Sequence, residues 1–136
     1  MRDTAIWREK ARHAAIAAAL DAGWPLMSVG MEKVRIAPRK FEMRPKMVAV
    51  DPIRWAGKYI MAFVVPDHRE RDHDNAVASG KPLTDGIVEA GILAGDSTRY
   101  IDSEQRRTYF RYHPGENAVL VYIEEAEPPQ EQLSLL

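Results

Sequence analysis

The chain has 136 residues, of which 46% are apolar and 29% charged, the size and make-up of one globular domain. It has no cysteine, which excludes a disulfide framework, a thiolate zinc site and a cysteine nucleophile. No apolar run reaches the roughly 18 residues of a membrane span, and no signal-peptide pattern opens the chain, so a cytoplasmic protein without a membrane partner is expected. The formal net charge of −1 argues mildly against a nucleic-acid partner, because such domains are usually basic.

Residues 4–20 read as a helix, Ala-rich, with Asp3 or Thr4 able to cap it and Gly23 and Pro25 to end it. Val34 and Ile36 suggest a short strand. The stretch from Arg39 to Trp55 holds Pro45 and Pro52 and reads as a loop, with a possible strand at 46–50. Residues 31–50 carry Lys33, Arg35, Arg39, Lys40, Arg44 and Lys46 against Glu32 and Glu42, a local net of +4. A second basic cluster is Arg99, Arg106, Arg107 and Arg111.

Residues 58–65 are β-rich and nearly all apolar, the pattern of a buried central strand, which Pro66 stops. Residues 82–90 read as a helix with Leu83, Ile87 and Ala90 on one face, Pro82 in the first turn and Gly91 just past the end. Residues 106–112 and 118–124 read as two strands of a hairpin around His113–Asn117. Without a repeating βαβ rhythm, the fold class expected is α+β, a small mixed sheet packed with two main helices.

The densest polar stretch, Asp67-His68-Arg69-Glu70-Arg71-Asp72-His73-Asp74-Asn75, follows the most apolar strand. If the extended conformation continues, Asp72 and Asp74 point to one side. Two carboxylates on one face form a hard-oxygen site of the kind that binds Mg²⁺ or Mn²⁺, and Asp96 is a third candidate. Asp-x-Asp pairs also occur in turns, where they cap backbone amides. His68 and His73 are alternative ligands. Lys81, four residues before Asp85, reads either as half of a helix ion pair or as a cation for a scissile phosphate.

The ordered string Arg71-Asp72-His73-Asp74-Asn75, Lys81, Asp85-Gly86-Ile87, Ala90-Gly91-Ile92-Leu93 and Asp96 resembles the RusA-type Holliday-junction resolvase family, over about residues 58–125. The resemblance implies a homodimeric, Mg²⁺-dependent endonuclease of small α+β fold that cuts four-way DNA junctions by paired nicks. It implies that Asp72, Asp74 and Asp96 hold the metal and are catalytic, and that Lys81 is the catalytic lysine, given a three-residue insertion before it. Lys33, Arg35, Arg39, Lys40, Arg44, Lys46, Arg69, Arg71 and Arg99 would then position junction arms through phosphates. The sequence departs from the family pattern in three ways. Gly95 stands where the family often has a second acidic residue, the chain opens on a helix rather than a Pro-rich strand, and residues 38–57 look inserted.

The domain expected is 1–125, followed by an acidic tail, 126–136. Residues 124–136 carry a net −4, which leaves +3 on the rest. The tail ends in Gln132-Leu133-Ser134-Leu135-Leu136, which resembles the bacterial sliding-clamp-binding motif with leucine at its last position in place of phenylalanine. A binding segment at the end of a tail can act as a tether.

Overall fold

The computed structural model describes residues 4–129. Helix α1, Thr4–Asp21, ends where Gly23 takes a left-handed φ of 73° and Trp24 donates its amide to the Ala19 carbonyl at 2.8 Å. Two long strands follow, β1 (Leu26–Ala37) and β2 (Lys40–Ala49), paired antiparallel as a separate two-stranded ribbon. The expected short strand and loop are therefore one continuous hairpin. Pro45 is tolerated inside it because β2 has a neighbour on one side only, which leaves backbone positions that owe no ladder hydrogen bond.

Strand β3 (Ala56–Val65) is the centre of the second sheet, as its apolar run predicts. Tyr59, Met61, Ala62 and Val64 are all buried. Helix α2 (His73–Glu89) then crosses back, and β4 (Arg106–Tyr112) pairs parallel to β3. Strand β5 (Ala118–Glu125) pairs antiparallel on the other side, giving the order β4-β3-β5. The two last strands exist where expected, but they do not form a hairpin. The turn at His113–Asn117 carries the chain past the end of β3, anchored where His113 donates its amide to the Val65 carbonyl at 2.9 Å. The turn signal was local, whereas the more apolar β3 takes the position between the two strands.

The architecture is a small α+β fold with two helices, a mixed three-stranded sheet and the ribbon. Its core joins Tyr59 and Met61 of β3 to Leu83 and Ile87 of α2, with Leu93 and Ile101 from the following loop. Each such large apolar burial contributes roughly 2 kcal/mol. The foot of the ribbon is tied to the end of α2, where Ala49 donates its amide to the Ala90 carbonyl at 3.1 Å. Gly91 permits this closeness: its φ is 75°, and a Cβ there would come within 2.8 Å of the Ala49 nitrogen. Among the described residues, no helix is long and apolar enough to cross a membrane.

Candidate functional site

The polar stretch after β3 does not continue as a strand. Asp67 closes a turn by accepting the Arg69 amide at 3.0 Å and the Arg71 guanidinium at 2.9 Å. Both contacts hold its carboxyl below the usual range, with the backbone amide the larger cause. Arg71 also donates to the carbonyls of Asp67 (3.3 Å) and Arg69 (2.9 Å), so three of the five guanidinium N–H donors are used within the loop. Arg71, one of the residues expected to contact DNA, also braces the approach to α2 through these bonds.

Asp72 is the N-cap of α2. Its backbone is extended (φ −86°, ψ 121°) and its carboxylate accepts the Asp74 amide at 3.0 Å. Asp74 lies in the first turn, where a negative charge favours the helix dipole. The pair therefore does not line one face of a strand, as the period-two reading required. Helix α2 begins nine residues earlier than the apolar spacing suggested, with Pro82 in its interior rather than its first turn. Proline has no amide hydrogen, so the Ala78 carbonyl lacks its normal partner one turn along. Ala78 and Pro82 both line an open cleft of about 570 Å³ together with Arg8, Asn75, Lys81 and Asp85.

Lys81 and Asp96, both candidate site residues, come together. The Lys81 ammonium lies 2.5 Å from Asp85 and 3.1 Å from Asp96, and these two contacts, that to Asp85 first, raise its pKa above the ordinary 10.5. Arg106, at the start of β4, holds Asp96 twice: one nitrogen is 2.5 Å from its carboxylate and another donates to its carbonyl at 2.8 Å. The guanidinium also lies 5.2 Å over the ring of Tyr59. Arg106 belongs to the second basic cluster of the sequence, but nothing in its spacing marked it as Asp96's partner. The Lys81 side chain keeps 61% of its surface exposed, so its ion pairs are screened and easily exchanged.

The residues do not fit a shared metal ion as they stand. Among the described residues, no three of the histidine, aspartate and glutamate side chains gather closely enough to hold one. Asp96 faces two cations and Asp72 caps the helix. The two histidines are engaged elsewhere: His68 stacks on Tyr112 at 3.7 Å, and the His73 ring bonds the Thr108 carbonyl at 2.8 Å. Gly95 has a packing reason to lack a side chain, because a Cβ there would run into the Tyr100 ring.

The other basic residues divide between two places. Lys33, Arg35, Arg39, Lys40, Arg44 and Lys46 all lie on the ribbon or at its tip, with Arg44 paired to Glu42 at 3.0 Å. Arg69 and Arg99 lie in the loops on either side of α2, and both are exposed. Residues 132–136 fall outside the described residues. Comparison with protein-family models, with curated proteins and with solved structures gave no match to this chain.

Proposed function

We propose that this chain is an endonuclease for branched DNA, with the four-way junction as substrate, working as a homodimer in the cytoplasm. The observation that supports the reading is the pairing of Lys81 with Asp96 at 3.1 Å. The fold brings the lysine and the last aspartate of the resolvase-like string into contact, with two further aspartates about two turns away at the head of the same helix. Lys81 and Arg106 are exposed cations that would face a phosphodiester and balance the charge that builds on it during hydrolysis. Mg²⁺, or Mn²⁺, enters through the family resemblance, with Asp72, Asp74 and Asp96 the residues that would hold it. These three carboxylates are not gathered among the described residues, so holding one ion would need them to move together. The tail motif Gln132–Leu136 would tether the enzyme to a sliding clamp and raise its local concentration on DNA.

The test is cleavage of a synthetic four-way junction by the purified protein, with and without Mg²⁺, against Asp72→Asn. Paired nicks that need the ion and vanish in the variant support the reading, and no cleavage under any divalent ion rejects it. A second reading is a non-catalytic, clamp-tethered branched-DNA-binding protein. It is favoured by the ungathered carboxylates and by Gly95, where a second acid has no room. Junction binding without cleavage would support it. Preferential cleavage of flaps or forks would instead identify a nuclease for other branched DNA.

A further inference from the structure

We infer that the outer face of the β1–β2 ribbon binds unpaired nucleotides of single-stranded DNA, with Phe41 as the stacking platform. The two faces of the ribbon differ in kind. Directly opposed residues share a face, and the register sets Met31 against Pro45, Lys33 against Met43 and Arg35 against Phe41. The intervening register sets Glu32 against Arg44 and Val34 against Glu42, on the other face. That other face turns to the body at Val34, which is 5% exposed, and at Glu32, which pairs with the buried Arg12 of α1, while Ile36 and Glu42 nearer the tip are exposed. Both carboxylates of the ribbon therefore lie on the inner face. The outer face holds Met31, Lys33, Arg35, Phe41, Met43 and Pro45, with no acid among them.

The exposure of this face is unusual for its chemistry. Met31 is 57% exposed, Phe41 50% and Met43 56%, although nothing in the core needs them there. Lys33 already holds its ammonium 4.4 Å from the centre of the Phe41 ring. Flat apolar surface interleaved with cations suits a partner with flat π faces and regularly spaced anions, which is what unpaired nucleotides present. A duplex hides its base faces and offers such a surface only its phosphates. The tip is Pro38-Arg39-Lys40, so the most projecting residues are charged, which disfavours insertion into a lipid bilayer. A second copy seated by the same face would bring four cations together with no acid between them. The choice of DNA over RNA rests on the proposed function; the stacking face does not.

The experiment is fluorescence anisotropy of the full-length protein with a labelled oligo-dT of about 15 nucleotides, a matched duplex and an oligo-rU, without divalent ion so that nothing is cut. Tighter binding to oligo-dT than to duplex is expected. Phe41→Ala should weaken it by about 10-fold and Phe41→Trp should restore it, as one stacked base implies. Phe41→Leu, apolar but without a π face, should behave like Phe41→Ala. Lys33→Gln should flatten the salt dependence by roughly one phosphate contact. Equal binding to duplex and single strand, or no effect of Phe41→Ala, overturns the inference. Tighter binding to oligo-rU overturns the commitment to DNA. Binding to anionic phospholipid vesicles that Phe41→Ala abolishes, with oligonucleotide binding unchanged, assigns the face to a membrane instead. Because Asp72→Asn leaves the ribbon intact, its loss of junction cleavage and the fate of oligo-dT binding are read separately.

Discussion

Lys81 of α2 reaches Asp96 at 3.1 Å, and Arg106 of β4 holds the same carboxylate at 2.5 Å. One aspartate thus ties the crossover helix to the strand that follows it. Lys81 keeps 61% of its side-chain surface in water, so its contact with Asp96 holds the site together only weakly. Lys81→Met should therefore change unfolding free energy by less than about 1 kcal/mol. If Lys81 meets the scissile phosphate, junction cleavage should fall by about 10²–10³-fold. Single-turnover cleavage beside urea unfolding separates the two effects, and a variant that cuts at the wild-type rate removes Lys81 from the chemistry.

Asp72 has a structural task that a chemical test must hold constant. Asparagine is as good an N-cap as aspartate, so Asp72→Asn should keep the bond to the Asp74 amide and leave the melting temperature near its starting value. Asp72→Ala should cost about 1 kcal/mol. Both should abolish cutting while sparing junction binding. Cleavage that survives in Asp72→Asn and drops only in Asp72→Ala would mean that the residue acts through the cap alone.

Gly95 has no room for a side chain. Placing an acid there by Gly95→Asp should not raise any junction cleavage, because the new Cβ strikes the Tyr100 ring. Overpacking of this kind costs typically about 1–3 kcal/mol. Pairing Gly95→Asp with Tyr100→Ala should recover part of that loss, a coupling that a double-mutant cycle in thermal unfolding measures. Additive losses would show that Tyr100 is not the obstacle.

The parts of the fold that the sequence announced were those with strong one-dimensional signals. The apolar run 58–65 sits at the centre of its sheet, and the Ala-rich segment from residue 4 is a helix. The start of α2 was hidden because Asp72, His73, Asp74 and Asn75 carry no apolar periodicity, and only the cap geometry marks the helix there. The ribbon was legible only in fragments, at Val34 and Ile36 and at 46–50, because both its faces mix charged and apolar residues and the period-two signal fades between them. The partnership of Arg106 with Asp96 depends on β4 pairing parallel to β3, a tertiary choice that no local pattern encodes.

The raised pKa of Lys81 fixes the direction of its pH dependence. Asp85 first, and then Asp96, favour the charged amine, so its folded pKa lies above the ordinary 10.5. What it contributes to stability is fully present below the unfolded pKa and is lost only as pH rises through the folded one. No limb of a cleavage profile between about pH 7 and 10 should therefore come from Lys81. An NMR titration of the Lys81 side chain should give a midpoint above 10.5, and a midpoint at or below that value would show that the two carboxylates do not hold it in solution.

Arg39 is the described non-glycine residue with a positive φ, 60°, at the tip of the ribbon. The turn Ala37-Pro38-Arg39-Lys40 has proline at its second position and this residue at its third, the pattern of a type II turn, which favours glycine there. A side chain in the left-handed region costs roughly 1 kcal/mol. The sequence keeps a cation where the backbone prefers none. Arg39→Gly should therefore stabilise the protein by up to about 1 kcal/mol, reduced by the greater freedom of glycine in the unfolded chain. Arg39→Ala removes the same charge without relieving the strain and should give no such gain. Both should weaken DNA binding equally and lower the salt slope by roughly one phosphate contact. Denaturant unfolding and salt-dependent binding of the two variants decide the matter. Equal stability of the two would remove the strain argument, and unchanged binding in both would place Arg39 outside the DNA contact.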